Sequence, residues 1–404
     1  MKSRVVLRSI YLSIFFFAVA ASIGIRPSAR SATPPLLSAK RPSDRLVVHE
    51  WGTFTSTAGK DGVALEWRPL NGPSDLPKFV YTMQQGERGL RNRNTPPGKG
   101  EIRASVRMET PVLYFYADKE MEVSAKVGFP KGKITEWYPQ ARSAEGGIDW
   151  GKFKVIPGGK FTFPVETGDS HYYPARETDA APVQVCGSNE KPLQQEKFLF
   201  YRGVGTFDLP LSVKLEAGNV QLKNLGTDQI THLIIFENRS GKIGYRLCDA
   251  FTGEMSHERP ALDRNLESLL LDLKQILVVS GLYEREAEAM IKTWRDSWFE
   301  EGLRVFYILP RTATDGVLPV TIEPAPTELV RVLVGRAEVI TPEMESAVQR
   351  QVKLLENSSR EVRADAIATI REYGRFSEPI LKRLLLTESD RAARRRIRKL
   401  IDAG

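Results

Sequence analysis

Along the first two thirds of the chain hydrophobic and polar positions alternate in pairs; beyond that they recur at helical spacing. The sharpest alternation runs through Met121, Val123, Ala125, Val127 and Phe129, with Glu122, Ser124, Lys126 and Gly128 between them. A period of two predicts a strand with one buried face. Just before it, Val112, Leu113, Tyr114, Phe115 and Tyr116 form a continuous apolar run suited to a buried strand. Further strands are expected at residues 46–55, 134–138, 153–156, 161–165 and 198–201, bounded by Gly, Pro and Asp. Four more, at residues 211–215, 220–222, 230–237 and 242–248, are joined by turns containing Gly218, Gly226 and Gly241. They predict an antiparallel meander. Its third strand is apolar on both faces, which predicts a central place in a sheet and a core position for His232.

The period changes after Asp263. Leu266, Leu269, Leu270, Leu273, Ile276 and Leu277 predict a helix capped by Asn265 and stopped at Gly281. A second helix over residues 284–301 places Ala287, Met290, Ile291, Trp294 and Trp298 on one stripe. Strands are expected again at residues 303–309, 317–322 and 329–334. Thr341 then caps a new helix with Pro342 at its first position. Beyond it Ser359, Val362, Ile367 and Ile370 are echoed by Ser389, Ala392, Ile397 and Leu400, with Ile380, Leu381, Leu384 and Leu385 between the two segments. This segment resembles short HEAT-like helical repeats, too few to form an independent solenoid. It is expected to be a small cap on the body or on a partner.

The fold class is therefore α+β. An antiparallel β-sandwich-like body covers residues 45–251, a helical hairpin with added strands covers 252–340, and a HEAT-like helical segment covers 341–404. Residues 84–100, rich in Gly, Asn, Arg and Pro, predict a long loop.

Charge alters this picture at the two ends. The net charge is +8, but residues 1–31 hold Lys2, Arg4, Arg8, Arg26 and Arg30 and no acid. Arg391, Arg394, Arg395, Arg396, Arg398 and Lys399 crowd the other end. The body between is close to neutral, which excludes a surface that tracks nucleic-acid phosphates. The basic start, the apolar run from Ile10 and the small residues after it predict an export signal over 1–31, followed by a Pro- and Ser-rich linker over 32–44. Ser22 and Ser31 are alternative cleavage points. An exported chain with only Cys186 and Cys248 has two options, a disulfide between them or two buried thiols.

No motif assigns a reaction. Gly146 to Lys152 has P-loop spacing, but Phe153 replaces the Ser or Thr that holds magnesium. The four histidines, His49, His171, His232 and His257, share no metal-ligand spacing, so neither a metal nor a cofactor is expected. Asp169, Ser170 and His171 are adjacent in a polar stretch and predict a solvated loop, since triads are assembled from separate segments. Three Glu-Trp pairs, Glu50-Trp51, Glu66-Trp67 and Glu136-Trp137, place carboxylates beside aromatics. On strands this pattern predicts Trp inward and Glu in water. The rival reading is glycan hydrolysis, with Glu50, Glu109 and Glu136 as candidate catalytic acids and Trp51, Trp137, Tyr138 and Arg311 as ligand contacts.

The segments from His49 to Thr55, Met108 to Tyr116, Thr135 to Pro139 and Trp294 to Phe299 together resemble a family of uncharacterised exported bacterial proteins that share the HEWGTFT motif. The resemblance implies export and no mechanism. Two functions are expected from this sequence. The first is an exported, periplasmic or extracellular, non-enzymatic binding or scaffold protein whose helical end meets another envelope protein or glycan. The second is the envelope glycan hydrolase. The arginine-rich last helix is a candidate contact for an anionic surface.

Overall fold

The structure, a computed structural model, describes residues 45–70, 75–83, 102–144, 146–168, 170–186 and 193–403. The expected leader, the linker and the loop over 84–100 lie outside the described residues. In chain order the first strands are β1 (Leu46–Ala58), β2 (Tyr81–Thr82), β3 (Val106–Ala117), β4 (Met121–Gly128), β5 (Gly132–Tyr138) and β6 (Arg142–Ala144). They are followed by β7 (Gly147–Val155), β8 (Val183–Val185), β9 (Gln194–Glu196), β10 (Leu199–Gly205), β11 (Leu211–Glu216) and β12 (Asn219–Asn224). Next come β13 (Leu233–Arg239), β14 (Lys242–Cys248) and β15 (Glu254–Glu258), then helices α1 (Leu266–Val279) and α2 (Glu284–Trp298). The remaining mixed segment holds β16 (Gly302–Ile308), α3 (Arg311–Val317), β17 (Val320–Glu323) and β18 (Glu328–Val339). Helices α4 (Pro342–Leu354), α5 (Arg360–Glu372), α6 (Ser377–Thr387) and α7 (Arg391–Ala403) complete the chain.

The protein is α+β, with large sheets first and most of its helices last. A nine-stranded sheet in the order β14-β13-β16-β18-β1-β3-β10-β5-β2 forms its middle. Helices α1 and α2 cover one face, where Leu269, Leu273, Met290, Trp294 and Trp298 pack against Trp51, Val112, Tyr114 and Phe306. On the other face lie a six-stranded sheet built on β4 and β7 and a three-stranded sheet, β11-β12-β15, joined to the first by a second apolar core. Strand β1 is buried along its whole length, and its alternation sorts its side chains: Val48 and Phe54 enter the sheet-to-sheet core, Trp51 the helix-facing one. Gly52 is required by a close approach, since a Cβ there would lie 2.9 Å from Pro111 Cα.

Several expectations are corrected. The meander over 211–248 does not form one sheet: β11 and β12 pair with β15, while β13 and β14 form the hairpin at one edge of the large sheet. The chain leaves the sheet between them because the Asn224 side chain donates to Asp228 O at 2.8 Å and Ile230 bridges only to Phe251. His232 precedes β13 and is half-buried rather than a core residue. The body does not close at residue 251, since β16 and β18 sit in the middle of the large sheet, between β13 and β1. Nor is that sheet wholly antiparallel. β1 and β18 run parallel, in register from Val47 opposite Glu328 to Ala58 opposite Val339. A parallel neighbour needs a long crossover, and the intervening chain supplies it. Residues 161–165 form no strand, and α3 occupies the start of the strand expected over 317–322.

Helix capping follows the sequence closely. Asn265 Oδ1 accepts from Ser268 N, Thr341 Oγ1 accepts from Met344 N, and Gly281 ends the α1 turn at φ +114°. Helix α2 is held at both ends. Glu286 Oε2 accepts from Tyr283 N at 2.8 Å at its start. At its far end Arg304 donates to the carbonyls of Trp298, Glu300 and Glu301, and Arg336 donates to that of Ser297 at 2.7 Å. Glu338 neutralises both arginines, 3.0 Å from Arg304 and 2.5 Å from Arg336.

Helices α4 to α7 share their own core, built from Val348, Val352, Ile370, Ile380, Leu384, Ile397 and Ile401. They rest on the body through Glu378, which pairs with Arg68 and Arg103 at 3.1 Å each, and through Arg259 with Glu343 at 3.0 Å. The expected echo is imperfect: Val362 is half-buried whereas its counterpart Ala392 is exposed.

Candidate functional site

The three candidate carboxylates do not converge in one accessible cleft: Glu50 stands apart, while Glu109 and Glu136 both lie near the buried Arg202. Glu50 faces the sheet-to-sheet core, where its oxygens accept from Tyr201 Oη and Arg331 Nε at 2.5 Å each, with both charged side chains sealed from solvent. Glu109 accepts from Thr55 Oγ1 at 2.9 Å and lies 3.3 Å from Arg107 Nε. Because Thr55 and Glu50 have opposite parity on β1, Glu50 and Glu109 stand on opposite faces of the sheet. Glu136 accepts from Thr135 Oγ1 and stands in register with Arg202 of β10. All three are buried. Glycoside hydrolysis needs two carboxyl groups that flank a sugar and a water, and this arrangement gives neither group access.

The aromatic platforms are interior as well. Trp51 is 0% exposed, and Trp137 and Tyr138 are 4% exposed. The expectation that the glutamates of the Glu-Trp pairs would face water holds only for Glu66; Glu50 and Glu136 are buried because Arg331 and the Thr135 hydroxyl take the place of solvent. Arg311 is exposed on α3, but its Nε lies 2.7 Å from Asp315 and its Nη1 donates to Leu329 O, so it closes a helix turn. Cys186 and Cys248 are both free, one following β8 and one ending β14, on different sheets, so the disulfide option does not form; nor are both thiols buried, since Cys186 is exposed and Cys248 half-buried.

His171 is a clasp rather than part of a solvated loop; Asp169 lies outside the described residues. His171 Nδ1 lies 2.9 Å from Asp75 and Nε2 lies 2.9 Å from Asp296 of α2. Asp75 is also gripped by Arg202, at 2.7 and 3.0 Å. The hydrogen bond to Asp75 raises the His171 pKa; burial opposes it and Asp296 adds to it. Burial pushes the Asp75 carboxyl up, but Arg202 and His171 together hold it well below the usual carboxylate range. Among the described residues no group of His, Cys, Asp or Glu is arranged to hold a metal ion.

The accessible chemistry lies elsewhere, at the start of α2. An open groove of about 530 Å³ is bounded by Tyr116 at the end of β3, the Gly158-Gly159 turn, Asp179, Lys197 and the pair Tyr283 and Arg285. Its volume falls within the usual range for small-ligand sites, roughly 300–1,000 Å³. Tyr283 is 44% exposed, yet its ring is fixed from behind by His49, with ring centres 4.4 Å apart, and from the side by Tyr116 at 4.9 Å. His49 is held in turn: its Nδ1 lies 2.7 Å from Glu286 Oε2, and Tyr116 Oη donates to Glu286 Oε1 at 2.8 Å. The His49 of the HEWGTFT segment thus braces an aromatic wall of the groove. Burial, with the Glu286 charge beside it, pushes the Tyr116 phenol far up, so it remains a donor throughout the physiological range.

The cations of the groove differ in their commitments. Arg45 stands 3.7 Å from Glu328, and Arg285 pairs with Asp179. Lys197 is half-buried and forms no ion pair among the described residues. Burial lowers its pKa, Asp179 pulls it back up, and Arg285 lowers it further. None of these groove residues was singled out from the sequence. One signal was readable: Glu286 interrupts the apolar stripe of α2, four positions before Met290, and a carboxylate on a buried stripe requires polar partners.

No protein-family model matches the chain, and no curated protein matches it. Among solved structures it has a distant likeness to a yeast delta-COP-I mu-homology domain complexed with Dsl1 WxWxV peptide. The two are 8% identical, the match covers 74% of this chain and 96% of that one, and the TM-score is 0.27. Overlap at that level does not establish a shared fold.

Proposed function

We propose that the protein is an exported binding protein of the cell envelope that holds its ligand in the groove beside Tyr283 and does not transform it. In this reading a sandwich-like β body supplies the rigid frame, and the HEAT-like end offers a separate surface to a partner. The observation that carries it is the contrast at the accessible site. The groove presents a half-buried ammonium with no ion pair among the described residues, next to a braced aromatic ring. The carboxylates that would do hydrolytic work are sealed into the fold. A partly desolvated charge without a counter-ion is costly, and a ligand that pairs with it recovers part of that cost.

The test is calorimetry of the wild type against fragments of envelope glycan and small organic anions, beside an assay for glycan cleavage. Binding without cleavage, weakened by Lys197→Gln, is the expected result. Cleavage by the wild type that disappears in Glu109→Gln or Glu136→Gln would dismiss the binding-only reading in favour of a hydrolase.

The partner surface of the helical end is centred on α7, where Arg391, Arg395, Arg398 and Lys399 are exposed, as is Leu386 of α6. Arginines at steps of four and three residues share one side of a helix. Binding to vesicles containing anionic lipid is expected to fall steeply with salt, and to be lost in the triple Gln variant of Arg391, Arg395 and Arg398. Salt-independent binding would remove this role.

A further inference from the structure

We infer that the ligand of the groove is a saccharide carrying one carboxylate, with the carboxylate on Lys197 and the sugar ring against Tyr283. This rests on reading the groove as the ligand site and goes further by naming the chemistry of the occupant. Three features of the wall lead to it.

The first is the count of uncommitted charge. Of the three cations at the groove, Arg45 is associated with Glu328 and Arg285 with Asp179, which leaves Lys197 as the one without an ion pair among the described residues. A single carboxylate matches a single ammonium. A dianionic phosphate would bring a second charge into a wall that already contains Asp118 and Asp179.

The second is the aromatic wall. Tyr283 presents an exposed ring whose other side rests on His49, so it offers a flat surface at little entropic cost on binding. Such a surface suits the C–H face of a pyranose or another flat group.

The third is the polarity of the rest. Asp179 and its partner Arg285 present acceptors and donors side by side at the rim, and the Gly158-Gly159 turn brings backbone to the opening. A hydroxyl-rich molecule can satisfy both kinds of group, whereas a purely apolar aromatic acid would leave them facing it unpaired. The groove is partly open to solvent, as a site for one unit of a longer glycan must be.

The test uses the full chain and isothermal calorimetry with three probes, glucuronate, galacturonate and N-acetylmuramate. Comparators are their methyl esters, glucose and inorganic phosphate. At least one free acid is expected to bind, with affinity falling about tenfold or more on esterification, the loss of one charge-assisted hydrogen bond. Lys197→Gln is expected to remove that preference and to bind acid and ester alike. Tyr283→Leu is expected to weaken both. Unfolding midpoints of the variants serve as the control for folding. Equal binding of acid and ester by the wild type overturns the carboxylate assignment. Phosphate bound more tightly than every sugar, and lost in Lys197→Gln, overturns the saccharide but leaves the groove as a ligand site. If none of the probes binds at about 10 mM, the inference fails. If the calorimetry against other envelope fragments and anions is also blank, the wider reading fails with it.

Discussion

Glu50 and Lys197 are both ionisable groups drawn from the sheets, and their surroundings are opposite. Glu50 lies at the centre of the large sheet, opposite Arg331 on the parallel neighbour, with its two oxygens occupied by Arg331 and Tyr201. Lys197 follows β9 at the edge of the six-stranded sheet, half out of water; its backbone N–H donates to Glu196 at 2.7 Å, but its ammonium forms no ion pair among the described residues. A charge removed from water needs a partner, and the partner at Glu50 comes from the chain itself. At Lys197 the chain leaves the place open. The lesson is that a conspicuous carboxylate beside a tryptophan belongs to the frame, while a plain lysine near a turn is the group to which the proposed ligand is assigned.

The largest effect is expected from breaking the sealed pair. Arg331→Met strands Glu50 in the core and should cost about 3–5 kcal/mol, read as a lowered urea midpoint. Adding Glu50→Gln should restore most of it, because the uncompensated charge is gone. If the double variant is no more stable than the single one, the pair is not the source of the loss.

Next comes the brace between the two regions. His49→Phe keeps the ring and removes the bond to Glu286, leaving that carboxylate with Tyr116 Oη and Tyr283 N. A loss of about 1–3 kcal/mol in stability is expected, together with weaker binding in the groove. Unchanged affinity would show that Tyr283 does not depend on His49 for its position.

The His171 clasp gives a smaller, pH-dependent effect. Its folded pKa is raised, so its stabilisation is fully present below the unfolded value of about 6.5 and is lost as pH rises through the higher folded value. Asp75 is shifted the other way, and its contribution is present above about 4 and disappears only in strong acid. Asp75, Asp296 and Arg202 are the charged groups in direct contact within this cluster, Arg107 and Glu109 act on it from beside, and the Trp294 ring lies against the imidazole. In His171→Gln the decline of the urea midpoint above neutral pH should flatten; a profile unchanged from wild type would remove the clasp.

The smallest effect on stability is expected at Lys197. Lys197→Gln should leave the midpoint within about 0.5 kcal/mol of wild type while affecting binding most. A large destabilisation would place Lys197 with Glu50 as part of the frame.

Much of the local structure was legible from the chain. The strict alternation after Met121 became β4, with Val123, Ala125 and Val127 buried, and the caps at Asn265 and Thr341 formed as their side chains require. Non-local pairing was not legible. Residues 328–339 lie beside β1 in parallel only because the intervening chain crosses over, and no pattern within either strand encodes that neighbour. The groove was hidden for the same reason. Tyr116, Asp179, Lys197 and Tyr283 come from four separate segments, and each alone looks like an ordinary polar or aromatic residue. The buried glutamates were misjudged because alternation assigns faces of a strand without telling whether the far face meets water or another layer. At β1 both faces are covered.

Helix α2 is anchored at one end by the carboxylate that orients His49 and at the other by two arginines from neighbouring strands of the same sheet. A beam fastened at both ends to one floor cannot tilt without tearing an ionic joint. Accommodation of an incoming molecule therefore falls to the parts around the helix, the Gly158-Gly159 turn and the free reach of the Lys197 side chain, and entry should proceed with the backbone of residues 284–298 at rest.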